Sequence, residues 1–404
     1  MKWAKISLGE ITTKIGSGAT PKGGEAAYET EGISLIRSLN VYDLEFKINN
    51  LAFINDRQAK KLANVTVNRN DILLNITGAS VCRCTKVPDR ILPARVNQHV
   101  AIIRCNTELV DSDFLLYYLV SPRTKRLLLN IAQAGGTREA LTKEDLQKFE
   151  IELPPLPIQQ KIAATIAAYD DLIENNQRRI ALLERMAREI YREWFVRLRF
   201  PGWEEVEGVP VGWDIVSVNE LYDTSSGGTP SRKNFDFYND GQINWLKTQE
   251  LKDTFIFQSE EKITKLGLKK SAAKLFPIHT VVIALYGATI GMLGILAEPA
   301  TTNQACCALL KKEGSKFSYT YIYLFLLLKR EYLNRISNGA AQQNISQEVV
   351  GNLNILKPPN DIMNKFNNQT ESLFSAIRNL HQQNHLLRQT RDRLLPRLLR
   401  GELL

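Results

Sequence analysis

The 404-residue sequence predicts an α+β fold built twice: two duplicated mixed α/β globular domains separated by a two-helix antiparallel coiled coil, with pseudo-two-fold symmetry. Three observations predict it. Blocks of sequence return in the same order 204 to 209 positions later. Each copy alternates short β-like runs with one helix-period segment. Each copy then closes on Pro-Pro and a long segment whose apolar residues step by four and three.

The repeat comes first, because a missed duplication misassigns the whole fold. SGATPKGG (17–24) matches SGGTPSRK (226–233), and ITGAS (76–80) matches LYGAT (285–289), both at an offset of 209. Asn97-Gln98 returns as Asn303-Gln304 at 206, and AGGTREALTKEDLQKFEIELPP (134–155) returns as NGAAQQNISQEVVGNLNILKPP (338–359) at 204. Order is kept while the offset drifts by five, as changes in loop length after a tandem duplication produce. In the first copy GISLIRS, DILLNITG, HVAIIRC and KFEIELP read as strands bounded by turn residues, and QINWLKT, TVVIALYG, QACCALLKK and NLNILKPP do so in the second. Residues 111–131 and 318–336 carry the helix-period segments. The boundaries follow: globular domains at 1–153 and 201–357, spacer helices at 154–200 and 358–404.

The junction Leu153-Pro154-Pro155-Leu156-Pro157 continues neither a strand ladder nor a helix interior, so the chain leaves the first globule stiffly. The seam that follows runs Ile162, Ile166, Tyr169, Ile173, Asn176, Ile180, Leu183, Ala187, Ile190, Trp194. The second runs Phe366, Thr370, Leu373, Ile377, Leu380, Asn384, Leu387, Arg391, Leu394, Leu398. Both have coiled-coil spacing. With Asn176 set opposite Asn384, an antiparallel pairing brings Ile162 to Leu398 and Trp194 to Phe366. The two asparagines are thus expected to fix register, since a buried amide penalises slipped alignments. Arg391 falls opposite Tyr169, where its stem is expected to lie on the ring with its head in water. About forty helical residues make a rod of roughly 60 Å.

Composition narrows the function classes. Hydrophobic content of 44% and charged content of 24% are ordinary for a globular protein, and no eighteen-residue apolar run suggests a membrane span. The start, MKWAKISLGEI, has no signal-peptide core, so a cytoplasmic protein is expected. A net charge of +9 favours an anionic partner. Cys82, Cys84, Cys105, Cys306 and Cys307 lack a second pair at zinc-site spacing, with only His99 nearby, and read as reduced thiols. His381 and His385 stand i, i+4 without the acidic partner of H-E-x-x-H and read as polar surface positions.

GSGATP, SGGTP, AGGTREAL, the junction ELPPLPIQQKI and the closing RDRLLPRLLRGEL, all on a duplicated framework, resemble the specificity (S) subunits of type I restriction–modification systems. The resemblance spans the whole chain. It departs in two places: Ile158 stands where glutamate is common, and the second junction keeps only Pro358-Pro359. What it implies is a non-catalytic chain with two target-recognition domains reading a split double-stranded DNA sequence. Its helices would dock two DNA adenine methyltransferase (M) subunits, and motor–nuclease (R) subunits would complete the complex. S-adenosylmethionine, ATP and Mg would belong to those partners, with no cofactor and no metal in this chain. The residues agree: there is no G-x-x-x-x-G-K-[ST] loop, no G-x-G-x-x-G after a strand and no Asn/Asp-Pro-Pro-aromatic tetrad.

If the copies read DNA, base-matching side chains should sit in the turns that both share. Arg and Lys suit guanine, and Asn and Gln suit adenine. The first copy offers Thr20, Lys22, Arg37, Asn40, Thr77, Ser80, Arg83, Lys86, Gln98 and Arg138. The second offers Thr229, Ser231, Arg232, Lys233, Lys247, Gln249, Tyr286, Thr289, Gln304, Gln342 and Gln343. The rival readings are a coiled-coil adaptor with two protein-binding globular domains, and an enzyme with an unrecognised site, for instance a nuclease, that cuts or modifies DNA unaided.

Overall fold

A computed structural model of the chain describes residues 3–134, 139–203, 208–337 and 344–403. The chain divides into two compact units: residues 1–174 with 385–404, and residues 175–384. Two forty-residue helices, Leu156–Phe195 and Asn360–Leu399, contribute to both units.

In the first unit the strand Val100–Cys105 pairs antiparallel with Thr12–Ser17 and with Ile72–Asn75, and the latter pairs with Cys84–Lys86. A second sheet places Ile33–Ile36 between Ala52–Ile54 and Ala94–Val96, the last in a parallel pairing. Ala4–Ser7 pairs with Glu150–Leu153, so the first strand meets the strand that enters the helix. The second unit repeats this scheme. Cys306–Lys311 lies between Tyr222–Ser226 and Val281–Ala284, Ile243–Leu246 pairs parallel with Ala300–Thr302, and Asp214–Ser217 pairs with Asn354–Lys357. In the strands buried on both faces, the apolar residues are consecutive rather than alternating, Ile72 to Leu74 in one and Val281 to Ala284 in the other.

Within the first unit the start of the first long helix and the end of the second share one core. Ile162 and Ile166 are buried with Leu395, Leu398 and Leu399 against Leu8, Phe114 and Leu146 of the globule. Gln159, fully buried, fixes the helix start. Its Oε1 accepts from Asp111 N at 2.9 Å, and its Nε2 donates to Pro154 O at 2.8 Å and Leu109 O at 3.1 Å.

Within the second unit Asn176 Nδ2 donates to Asn384 Oδ1 at 3.0 Å, and Trp194 meets Phe366 with centroids 5.8 Å apart, so the helix segments there run antiparallel. Phe366 is also ringed by Phe195, Tyr321 and Tyr191 at 4.8, 5.9 and 6.1 Å. The buried stripe is therefore wider than a two-stranded seam: Tyr191, Phe195, Met363 and Phe374 are buried beside it because each helix also faces a globule.

Arg391 departs from expectation. Its guanidinium pairs with Asp170 at 2.5 Å and with Asp392 at 2.8 Å, and Asp170 also accepts from Tyr117 at 2.8 Å. The reason is burial: a side chain only 17% exposed needs a carboxylate partner more than a ring to lie on.

Candidate nucleic-acid interface

In the first unit four polar segments converge because backbone bonds pull each toward the Asn97-Gln98 turn. Gly18 N donates to Asn97 O at 3.1 Å as the first loop begins. A Cβ at Gly18 would lie 1.8 Å from Val96 O, so only glycine permits this approach. Asn97 N donates to Ile36 O at 3.0 Å, which brings in the turn at 37–40. Ile76 N donates to His99 O at 3.0 Å, which brings in the turn at 77–80. Side chains then close the cluster. Thr20 Oγ1 donates to Gln98 Oε1, Thr77 Oγ1 lies 2.6 Å from His99 Nδ1, and Gln98 Nε2 lies 3.1 Å from His99 Nε2.

The second unit builds the same cluster. Gly228 N donates to Thr302 O, Asn303 N to Leu246 O and Leu285 N to Ala305 O, each at 2.9 Å. A Cβ at Gly227 would lie 2.0 Å from Thr302 O. Thr229 Oγ1 donates to Gln304 Oε1 at 2.6 Å, matching Thr20 and Gln98. Where the first unit has Thr77 and His99, the second has Tyr286, 44% exposed, and Ala305.

Of the residues singled out from sequence, Lys22, Gln98, Thr229, Ser231, Lys233, Gln249, Tyr286 and Gln304 are exposed on these turns. Thr20, Thr77, Ser80 and Thr289 are half-buried, and Thr289 Oγ1 donates to Tyr286 O at 3.2 Å. Several cations are already engaged. Arg37 donates to Asn50 O at 2.8 Å and to Glu25 at 3.2 Å, 5.1 Å from the Tyr28 ring. Lys86 pairs with Asp113 at 2.8 Å. Arg83 lies 4.6 Å from the Tyr42 ring, with Lys47 Nζ 3.9 Å from the same ring.

In the second unit Arg232 pairs with Glu261 beside the Tyr238 and Trp245 rings, at 4.6 and 5.0 Å. Lys247 pairs with Glu261 at 2.9 Å, and these two cations hold the Glu261 carboxyl down at about 2. Asn40 requires a correction. It is fully buried; its Oδ1 accepts from Arg37 N at 3.0 Å and its Nδ2 donates to Lys47 O at 2.9 Å, so it holds the turn and cannot reach a base. Arg138, Gln342 and Gln343 lie outside the described residues.

Sequence reasoning missed His99 as a member of the cluster, along with the aromatic supports Tyr42, Tyr238 and Trp245. The signal was available for His99: a polar ring in one copy faces alanine in the other inside an otherwise matching turn. Burial pushes the thiols of Cys82, Cys105, Cys306 and Cys307 up to about 12, which keeps them protonated. Among the described residues no group of three or more His, Cys, Asp or Glu side chains is placed to hold a metal ion, and no helix is long and apolar enough to cross a membrane. His381 Nε2 lies 2.8 Å from Thr254 Oγ1, and His385 Nε2 lies 2.8 Å from Gln389 Nε2.

A framework present twice, with polar turns gathered at matched places and a long helix after each copy, defines a tandem-duplicated two-unit protein. The family profile described as the type I restriction modification DNA specificity domain matches residues 1–185 and again 210–387, and the chain belongs to that family. The HindI specificity subunit of Haemophilus influenzae is 24% identical, over 99% of both chains. The MjaIX specificity subunit of Methanocaldococcus jannaschii is 28% identical, over 71% of this chain and 68% of its own. The fold is shared with the crystal structure of the type I restriction–modification S subunit from M. genitalium, at a TM-score of 0.62 and 14% identity, over 98% of this chain and 96% of that one.

Proposed function

We propose that the chain reads a two-part DNA sequence, one half per copy, and docks DNA adenine methyltransferase subunits on its long helices. It carries no catalytic residues of its own; S-adenosylmethionine, ATP and Mg act in the methyltransferase and motor–nuclease subunits. One observation carries this reading. The two polar clusters keep the same backbone and the same Thr–Gln pair, Thr20–Gln98 and Thr229–Gln304, while the side chains around that pair differ. Two readers of different sequences need that combination: phosphate contacts and backbone geometry position a protein, and side chains at base edges specify.

The exposed polar residues of each cluster are the candidate contacts, with Arg37, Lys86, Arg232 and Lys247 serving first to hold their loops through the ion pairs described above. The helices act as a ruler between half-sites, and the Asn176–Asn384 bond sets their register. Half-sites on one face of B-DNA lie about 34 Å apart, within the reach of forty helical residues at 1.5 Å each.

The test is to express the chain with its methyltransferase partner and map methylated adenines in the host DNA. A two-part target is expected, with an unread spacer that changes when seven residues are inserted into each helix. Methylation without sequence preference, or cleavage of DNA by the purified chain with Mg alone, would contradict the proposal.

A further inference from the structure

The two glutamines are alike in one bond and unlike in the next. Gln98 and Gln304 each accept through Oε1 from the threonine of the preceding loop, which sets the oxygen of both amides toward that threonine. In the first unit a second restraint follows, because Gln98 Nε2 faces His99 Nε2 at 3.1 Å. An amide nitrogen carries only protons, so the ring nitrogen accepts. The ring proton then sits on Nδ1 and is donated to Thr77 Oγ1 at 2.6 Å. Thr77 is itself held by a bridge to Ala140. Among the described residues the second unit shows no such chain, since Ala305 stands in place of the ring and Tyr286 in place of Thr77, although the backbone bond Leu285 N to Ala305 O matches Ile76 N to His99 O.

We infer that His99 and Thr77 are a positioning pair that locks Gln98 to read one adenine in the half-site of the first unit. The inference rests on the function proposed above. A primary amide has two N–H donors and two acceptor lone pairs. With one acceptor taken by Thr20 and one donor by His99, Gln98 keeps one of each, the complement of the adenine N6 and N7 edge. Gln98 is exposed and His99 half-buried, so the reader faces outward and its support lies behind it. Gln304 has its oxygen held in the same way, and among the described residues no histidine stands beside its nitrogen.

The experiment measures base preference at every position of the methylated sequence, using the chain with its methyltransferase partner on a randomised DNA library. The variants are Gln98→Ala, Gln304→Ala, His99→Ala and His99→Gln. Ala305 shows that the framework accepts alanine at this place, and a thermal melt of each variant checks folding. Gln98→Ala and Gln304→Ala should each lose discrimination at a single adenine, in opposite halves of the target. His99→Ala should lose about tenfold in discrimination at the adenine that Gln98→Ala marks, and nowhere else. His99→Gln, which keeps an acceptor for Gln98, should restore most of it. A uniform drop at all positions with unchanged preferences, or no change at all, would overturn the positioning role. A wild-type chain that directs methylation to no defined sequence would overturn the proposed function itself, before any variant is compared.

Discussion

At two places the first copy holds its framework with buried polar groups where the second uses smaller or apolar side chains. Just before the strand Ile72–Asn75, Asp71 is fully buried and takes a two-pronged contact from Arg104, with Nε–Oδ1 at 2.8 Å and Nη2–Oδ2 at 2.7 Å. The same carboxylate accepts from Asn68 N at 2.7 Å. The equivalent positions in the second copy are Thr280, Leu310 and Pro277. Proline has no N–H to satisfy, and the Thr280 hydroxyl donates to Pro277 O at 2.8 Å instead. At the helix start, Gln159 with its three hydrogen bonds is replaced by Met363, which is fully buried among apolar neighbours. One backbone thus has two chemical solutions. The lesson is that these ion pairs and amides are not what specifies the fold; having been adopted, they must be complete, because a half-satisfied buried polar group costs more than an apolar one.

Breaking the pair in the first unit should have the largest effect. Arg104→Leu leaves Asp71 buried and uncompensated and should lower stability by about 3 kcal/mol or more in urea unfolding. The double variant Asp71→Thr with Arg104→Leu, which copies the second unit, should recover most of that loss; if the double variant is as unstable as the single, the equivalence of the two solutions fails. Gln159→Met comes next. It strips the partners from Asp111 N, Pro154 O and Leu109 O, and should cost about 2 kcal/mol. Asn176→Ala should cost about 1 kcal/mol by leaving the buried Asn384 amide without this partner. Cysteines at 176 and 384 should crosslink under oxidation if the register is as described.

The smallest effect belongs to Glu261. Its carboxyl is held at about 2, against an ordinary value of 4.5, by Arg232 and Lys247. A depressed folded-state value adds stability above pH 4.5, and that increment disappears as pH falls toward 2. Ala52 occupies the matching strand position in the first unit, so Glu261→Gln should flatten the acid limb of the second unit's unfolding while leaving the first unit's unchanged.

Much of the fold was legible because duplication and periodicity are written in order and spacing. GISLIRS and DILLNITG are strands, the second helix-period segment gives the helix Tyr319–Ser337, and both Pro-Pro junctions lead into helices of forty residues. The width of the buried stripe was not legible, because Tyr191 and Met363 face globules that a pairwise seam ignores. The cluster was harder to read. A polar residue in a turn can cap, brace or contact, and composition does not distinguish these. Asn40 and Arg37 brace a turn through bonds to Lys47, Glu25 and Asn50 that join segments ten or more residues apart or span a local loop. The spacing of His99 to the cysteines speaks only to metal binding, whereas its place in the cluster depends on Thr77 and Gln98, 22 positions away and adjacent in the chain.

The central claim is that each copy reads its own half of a DNA sequence. The most direct test is a chain in which residues 1–153 also replace residues 201–357, expressed with its methyltransferase partner and followed by sequencing of methylated adenines. Both halves of the target should then carry the sequence formerly read by the first copy. A target that keeps the second copy's original half would contradict the account.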